Sequence, residues 1–231
     1  MASASHIAHA GLPFANPISE AAVDEAITLL PLPAEAHVFD SGCGSGEMLV
    51  RVLRQHPGAN GLGVDLDADA IAEARRRRGT LPARFEVRDA TTVEGPFDAV
   101  LNVGASHALG GFTAALTALK RLGRVVLYGE GFWARPPSAD FLAALGGANV
   151  DELSVLDGLR RAVAAAGFDI THEWVASEDD WARYEETLAA NAERHATPET
   201  LAYAQRIRDR RALPHGTDTL GFALLLGVSA D

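Results

Sequence analysis

The chain runs from a short apolar stretch directly into a loop with three glycines in five positions. This segment, VFDSGCGSGE at residues 38–47, places Asp40 two residues ahead of Gly42, Gly44 and Gly46. Closely spaced glycines weaken a regular element, because each one costs backbone entropy and offers no side chain for packing. A strand, a bare loop and a helix in this order instead predict a ligand site, since the N–H groups of the helix N-terminus face the ligand.

Strand-like and helix-like segments then alternate as far as residue 131. Five apolar strands are predicted there, and two more at DITHEWVAS (169–177) and DTLGFALLLGVSAD (218–231). This alternation predicts an α/β fold, with a mostly parallel sheet covered by helices on both faces. Because such sheets bind ligands at the carboxyl ends of their strands, the residues that directly follow each strand are the candidate site residues.

Length and charge narrow the possible partners. A chain of 231 residues is long enough for one α/β domain with extra segments, and its formal net charge of −11 disfavours a nucleic-acid partner. The basic run Arg75–Arg78 is interpreted as a solvated helix C-terminus. We expect no membrane partner and a cytoplasmic location, because the sequence contains neither a long apolar run nor a leader pattern.

Two common ligands of glycine loops fit this loop poorly. A phosphate-binding loop needs Lys-Ser or Lys-Thr after its last glycine, whereas Gly46 is followed by Glu47 and Met48. A dinucleotide loop has the spacing G-x-G-x-x-G, whereas the spacing here is G-x-G-x-G, and Glu47 would lie badly beside a pyrophosphate. No metal site is predicted, because Cys43 is the single cysteine and the eight histidines lack zinc-binding spacing.

Together with the segments that follow it, the loop resembles motif I of the class I S-adenosylmethionine-dependent methyltransferases. Four further segments are similar to the family's motifs at its second to fifth strands: GVDLD (63–67), VRDA (87–90), FDAVLNVGASHALGG (97–111) and LKRLGRVVLYGE (119–130). The resemblance covers residues 34–131, and it implies a Rossmann-like sheet of seven strands with a reversed last strand.

A narrower resemblance is to a bacterial branch of this family that acts on small molecules and whose functions are mostly unassigned. The shared features are Asn16-Pro17 before the first long helix, GEGFW (129–133), and the pattern W-x-RYE that begins at Trp181. This branch does not supply a substrate.

The family resemblance implies a role for each matching residue. The glycines would let the methionine half and the ribose of the cofactor lie against the loop, and Asp40 would face the amino group. Asp65 would accept bonds from the ribose hydroxyls and Asp89 from the adenine amino group. The implied cofactor contacts are Asp40, Gly42, Cys43, Gly44, Gly46, Asp65, Leu66, Asp89, Ala90, Asn102, Val103 and Gly104. For each aspartate, a simple helix N-cap is the alternative role.

Two residues are candidates for a general base. His107 follows the fourth strand, and Glu130 ends the fifth strand; imidazole and carboxylate groups are both common general bases. The alternatives are that His107 only packs or caps, and that Glu130 only holds a loop. The candidate substrate contacts are Phe14, His107, Trp133, Trp181 and Tyr184. His6 and His9 are expected in an exposed tail rather than in a lid.

We therefore expect a methyltransferase that acts on a small molecule, uses S-adenosylmethionine, and is a monomer or homodimer. An NAD-linked oxidoreductase and a cofactor-binding protein without methyl transfer remain the alternatives. A single domain, 1–231, is predicted with the following parts: an N-terminal lid or helix (1–30), a cofactor-binding core (34–131), substrate cap segments (132–150 and 178–215) and a final strand (216–231).

Overall fold

A seven-stranded sheet dominates the computed structural model, which describes residues 3–229. Its strands are β1 His37–Ser41, β2 Asn60–Asp65, β3 Ala83–Val87, β4 Phe97–Val103, β5 Gly123–Trp133, β6 Phe168–Val175 and β7 Leu220–Ser229. Their order across the sheet is β3-β2-β1-β4-β5-β7-β6, and β7 is antiparallel. The predicted Rossmann-like fold with a reversed last strand is confirmed.

Helices precede the first strand and occur in the connections between later strands. They are α1 Ala4–Ala8, α2 Glu20–Thr28, α3 Glu47–Gln55, α4 Ala68–Arg78, α5 Phe112–Leu122, α6 Ala139–Ala144, α7 Leu156–Ala165, α8 Glu178–His195 and α9 Pro198–Ala212. Short 3-10 turns occur at Ala90–Thr92, Ser106–Leu109 and Val150–Glu152. Helix α3 begins directly after the glycine loop, at Glu47.

The central strands are parallel and pair in a register that brings their carboxyl ends to one edge. Phe39 of β1 lies between Leu62 of β2 and Val100 of β4, and Asn102 pairs with Tyr128 of β5. Phe39 and Val100 are fully buried. Strands that are covered on both faces consist of continuous apolar runs, which is why these segments were visible in the sequence.

The chain forms two compact units. Among the described residues, the core unit consists of 20–130, 158–174 and 223–229, and the helical unit consists of 3–19, 131–157 and 175–222. Both predicted cap segments fall in the helical unit. The predicted N-terminal segment 1–30 is divided between the units, because α2 packs against α3 in the core unit.

Within the helical unit, α1 is packed against α8 and α9. Ala8 is fully buried, and Asn191 Nδ2 donates to the Ala8 and Ala10 carbonyl oxygens over 2.9 and 2.8 Å. The His9 ring Nε2 lies 2.7 Å from the Tyr184 hydroxyl, whereas His6 is exposed. The expectation of an exposed tail is therefore wrong for His9, since a five-residue helix with one small buried side chain leaves almost no pattern in a sequence.

The outer ends of two predicted segments lie outside the described residues. These are positions 1–2 of the N-terminal segment and positions 230–231 of the final strand. Between residues 3 and 229, none of the helices has the length and apolar character that a membrane crossing requires.

Candidate functional site

The glycine loop after β1 is folded back on β2. The N–H groups of Gly42 and Cys43 both donate to the Val64 carbonyl oxygen, over 2.9 and 3.0 Å. Gly42, Gly44 and Gly46 have φ angles of +68°, +51° and +77°, a region that residues with a side chain rarely adopt. These positive φ angles therefore account for the glycines that the sequence has at all three positions.

The three glycines serve two different purposes. A Cβ on Gly42 would lie 2.6 Å from the Ala105 Cβ, and one on Gly46 would lie 2.8 Å from both Ala74 Cβ and the Phe85 ring. A Cβ on Gly44 would meet nothing within 4 Å. Gly42 and Gly46 thus allow close packing of the protein, whereas Gly44 leaves open space beside a bare backbone, as a ligand-facing position requires.

Asp65 at the end of β2 closes one side of the loop. Its Oδ2 accepts the Gly44 N–H over 2.8 Å, and its Oδ1 accepts the Asp67 N–H over 2.9 Å. A carboxylate has about four acceptor positions, so these two bonds leave capacity for hydroxyl donors. The next residue, Leu66, is 72% exposed, which places an apolar side chain at the carboxyl edge where a ligand could cover it.

Asp40 at the end of β1 is a buried acid. It is 4% exposed, and among the described residues its Oδ2 has no hydrogen-bond partner. Burial, followed by the negative charge of Asp65, raises the pKa of Asp40 to about 7, although a bond from the Leu49 N–H acts in the opposite direction. An orphaned buried acceptor is costly, and a cationic ligand group would relieve both the missing bond and the unfavourable charge.

Asp89 is both the cap of a short turn and an exposed acid. Its Oδ1 accepts bonds from the Thr91 hydroxyl and N–H over 2.7 and 2.8 Å, and these bonds lower the pKa of Asp89. The N-cap role named as the alternative for Asp89 is therefore present. Ala90, the first residue of the turn, has a buried side chain.

Asn102 ties the ends of β1 and β4 together. Its side chain is fully buried, and Nδ2 donates to Ser41 Oγ over 2.9 Å and to the Ala105 carbonyl oxygen over 3.0 Å. These contacts are made within the protein, so Asn102 shapes the loop that carries Val103 and Gly104. Gly104 is exposed, has a φ of +70°, and donates its N–H to β5.

The two candidate bases differ in how they are held. His107 is exposed in the turn Ser106–Leu109. Glu130 is partly buried, and its Oε2 accepts a bond from the Tyr128 hydroxyl over 3.0 Å. Burial and the nearby Glu130 charge raise the pKa of Tyr128, so its hydroxyl remains a donor at neutral pH. Glu130 therefore has a defined position, and Tyr128 is a contributor that the sequence analysis missed.

The aromatic candidates belong to the helical unit. Trp133 is 5% exposed, donates its indole N–H to the Val150 carbonyl oxygen over 2.8 Å and packs edge-on against Phe141. It has a packing role, and its contact with a substrate stays a prediction, as does that of the buried Phe14. Trp181 and Tyr184 are partly buried and pack edge-to-face with 6.2 Å between ring centres.

Cys43 is held as an unreactive thiol. It is buried, and burial together with the negative charges of Asp40 and Asp65 raises its pKa far above neutral pH. This environment disfavours the thiolate that a nucleophilic cysteine requires. Among residues 3–229, no three His, Cys, Asp or Glu side chains are grouped so that they could hold a metal ion.

The basic run at the end of α4 corrects a prediction. Arg75 Nε donates to the Phe85 carbonyl oxygen over 2.9 Å, and Arg78 donates to the Ala83 carbonyl oxygen over 2.7 Å. Arg77 donates to Ser45 Oγ in the glycine loop over 2.7 Å. Interpretation of the whole run as solvated is therefore wrong for Arg77 and Arg78, which are partly buried, whereas Arg75 and Arg76 are exposed.

The sheet order of the chain matches the Rossmann-like fold of methyltransferases. A family model described as a methyltransferase domain matches residues 38–127. Protein YjhP of Escherichia coli (strain K12), itself uncharacterized, is 31% identical over 180 residues, which are 74% of this chain and 72% of YjhP. The chain belongs to the class I S-adenosylmethionine-dependent methyltransferases.

Solved structures show the same fold over nearly the whole chain. The X-ray structure of YjhP has a TM-score of 0.84 at 24% identity, and 98% of this chain and 99% of that chain are covered. Two methyltransferases solved with S-adenosylhomocysteine, from Geobacter sulfurreducens and Thiobacillus denitrificans, have TM-scores of 0.83 and 0.80 at 24% and 26% identity. Each of these two comparisons covers 96% of both chains. Of the cofactors that the sequence left open, the family therefore favours S-adenosylmethionine over NAD.

Proposed function

We propose that this chain transfers a methyl group from S-adenosylmethionine to a small-molecule acceptor and releases S-adenosylhomocysteine. The observation that carries the proposal is the environment of Asp40, a buried carboxyl group with an unpartnered oxygen beside the glycine loop. The cofactor has an ammonium group at its methionine end, and a carboxylate in this position would bind it. Neither a phosphate nor a pyrophosphate would be attracted to that charge.

The other candidate residues would each contact a different part of the cofactor. Asp65 would accept bonds from the ribose hydroxyls while it keeps its bond from Gly44, and such charge-assisted bonds are stronger than neutral ones. Leu66 would cover the adenine ring, and Asp89 would accept a hydrogen bond from the adenine amino group. Asn102 would keep the loop at the methionine end in place through Ser41.

When bound, S-adenosylmethionine supplies a methyl group that its sulfonium charge already activates. The chain then has to align the acceptor and exclude water. Where the acceptor carries a proton, His107 or Glu130 would remove it, and the bond from Tyr128 favours Glu130 as the group with the more defined position. The net charge of −11 favours a small molecule over a nucleic acid as the acceptor.

Calorimetric titration with S-adenosylhomocysteine tests the cofactor assignment. We expect saturable one-to-one binding that is lost in Asp40→Ala, whereas NADH should give no binding signal. Absence of heat at millimolar S-adenosylhomocysteine would contradict the proposal. A panel of small acceptors with radiolabelled S-adenosylmethionine then tests methyl transfer, with Glu130→Gln and His107→Asn compared to identify the base.

A further inference from the structure

Arg77 of α4 reaches back to the glycine loop. Its NH1 donates to Ser45 Oγ over 2.7 Å and lies 3.3 Å from Glu47 Oε2 at the start of α3. Its NH2 lies 3.5 Å from Glu73 Oε1 on its own helix. One guanidinium group therefore contacts both the loop itself and the first residue of the helix that follows it. Ser45 and Arg77 were not among the residues singled out as site candidates.

Glu47 is held by a second arginine as well. Arg51 Nε donates to Glu47 Oε1 over 2.7 Å, and Arg51 also pairs with Asp24 of α2. The Glu47 side chain is only 14% exposed, and it lies between two cations at a helix N-terminus, where the helix dipole also favours an acid. Glu47, which would lie badly beside a pyrophosphate, is thus ion-paired with two arginines and helps to hold the loop.

The loop needs such a restraint because its own sequence does not fix its backbone conformation. Glycines at alternate positions give the segment 42–46 a large conformational freedom, which must be lost when a ligand binds. Ser45 lies between Gly44 and Gly46, so a hydrogen bond to its hydroxyl restrains the backbone between these two glycines. Restraint before binding increases affinity, because less entropy is lost in the complex.

We propose that Arg77 is a positioning residue for cofactor binding: acting through Ser45 and Glu47, it holds the glycine loop in the conformation that binds the cofactor. The inference rests on the proposed function, in that the loop is taken to bind S-adenosylmethionine. It assigns a role to one arginine of the run Arg75–Arg78, a motif that the proposed function otherwise leaves unused.

The neighbouring Arg76 supplies a matched control. It has the same charge and adjoins Arg77 on the same helix, but it is 75% exposed and pairs with Glu73 instead of the loop. Arg77→Ala should weaken S-adenosylhomocysteine binding about tenfold, whereas Arg76→Ala should change it by less than about twofold. Equal effects of the two substitutions would show a general charge effect and overturn the inference.

Two further variants separate positioning from simple loss of structure. Arg77→Lys should recover only part of the affinity, because one ammonium group can pair with Glu47 but lacks the fork that also reaches Ser45. Ser45→Ala should weaken binding by itself and add little to Arg77→Ala, since both remove the same contact. Full additivity of these two substitutions would contradict action through Ser45.

Hydrogen exchange without ligand provides the readout that a general folding defect would not reproduce. In Arg77→Ala, exchange should accelerate at residues 44–48 and remain unchanged in β4 and β5. If Arg77→Ala does not fold, Ser45→Ala with the same exchange and calorimetry measurements decides the question. Absence of binding by the wild-type chain would overturn both proposals, whereas wild-type binding that Arg77→Ala and Ser45→Ala leave intact would overturn this inference alone.

Discussion

Gly44 donates its backbone N–H to Asp65 Oδ2 over 2.8 Å, which joins the glycine loop after β1 to the acidic end of β2. The two residues are 21 positions apart, and parallel pairing of β1 with β2 brings them together. Of the three glycines of the loop, Gly44 is the one whose missing side chain leaves open space, and this bond holds it in place. Asp65 thus shapes the loop in addition to the ligand contact proposed for it.

Replacement of Asp65 by alanine should weaken S-adenosylhomocysteine binding at least tenfold, or about 1.4 kcal/mol. The substitution removes the proposed ribose acceptor and also the partner of the Gly44 N–H. Asp67→Ala is the matched control, because it removes the N-cap of α4 and should cost about 1 kcal/mol of stability with little change in affinity. Calorimetry and urea unfolding measure the two effects, and an unchanged affinity in Asp65→Ala would remove it from the site.

The features that were predicted well from the sequence are those with strong local patterns. Buried parallel strands gave continuous apolar runs. The glycine loop and the three acids Asp40, Asp65 and Asp89 lie at or just after the ends of β1 to β3, where the fold brings them to one edge. For these acids, the sequence did not decide between a helix N-cap and a cofactor contact. Asp89 shows why, since it caps a turn while its carboxylate remains exposed.

The basic run shows what a linear pattern leaves undetermined. Successive residues on a helix are rotated by about 100°, so four arginines in a row point to different sides. Arg75 and Arg78 share one side and donate to carbonyl oxygens of β3, the terminal strand of the sheet, where they cover an exposed edge. Arg77 points to the glycine loop instead. The partner of each arginine depends on tertiary placement, which composition does not encode.

The short elements of the helical unit were also missed. Helix α6, Ala139–Ala144, has six residues, too few for an apolar period to stand out. The burial of Trp133 depends on its indole bond to Val150, a contact across a connection that has no sequence signature. Aromatic residues near a predicted site were therefore assigned to a substrate when at least one of them packs inside the unit.

The raised pKa of Asp40 predicts how stability varies with pH. An unfolded Asp loses its proton near pH 4, whereas folded Asp40 keeps it up to about pH 7. Its contribution to stability is therefore complete below pH 4 and is lost as the pH rises through 7. Between pH 5 and pH 8 this should lower the unfolding free energy by roughly 3 kcal/mol in the wild type and not in Asp40→Asn. Urea unfolding at both pH values checks the difference, and parallel pH profiles of the two proteins would contradict it.

The affinity for S-adenosylhomocysteine should rise with pH, whereas the stability falls, and both changes arise from the Asp40 carboxyl group. A bound ammonium favours ionised Asp40, so binding of S-adenosylhomocysteine should release a proton below pH 7. The affinity should rise as the pH increases to about 7 and then level off. Calorimetry in buffers with different ionisation enthalpies measures the released proton directly. Asp40→Asn should abolish the release, and release that persists in this variant would assign the proton to another group.

Alanine substitutions at two glycines should separate packing from ligand access. Gly46→Ala would place a Cβ 2.8 Å from Ala74 Cβ and the Phe85 ring, so we expect a stability loss of about 1–3 kcal/mol. Gly44→Ala meets no protein atom within 4 Å, so it should cost only the strain of its positive φ, about 1 kcal/mol, and still prevent cofactor binding. Thermal unfolding and calorimetry on both variants test this contrast, and normal binding by Gly44→Ala would place the ligand elsewhere.

The W-x-RYE pattern makes a stability prediction for the helical unit. Glu185 of α8 is 3% exposed and accepts bonds from Arg210 and from Arg211, the latter over 2.6 Å, while the Arg210 guanidinium also lies over the Phe141 ring. Glu185→Ala would leave the buried Arg210 charge without its partner, and the expected loss is about 3–5 kcal/mol.

The exposed pair between Glu193 of α8 and Arg208 of α9 provides the comparison for Glu185, because it links the same two helices. Glu193→Ala should cost no more than about 1 kcal/mol, since solvent screens an exposed pair. Hydrogen exchange at the amides of α8 and α9 gives the local opening free energy for both variants without assuming that the whole chain unfolds in one step. A loss in Glu185→Ala no larger than that in Glu193→Ala would mean that Arg210 finds another partner or reaches water.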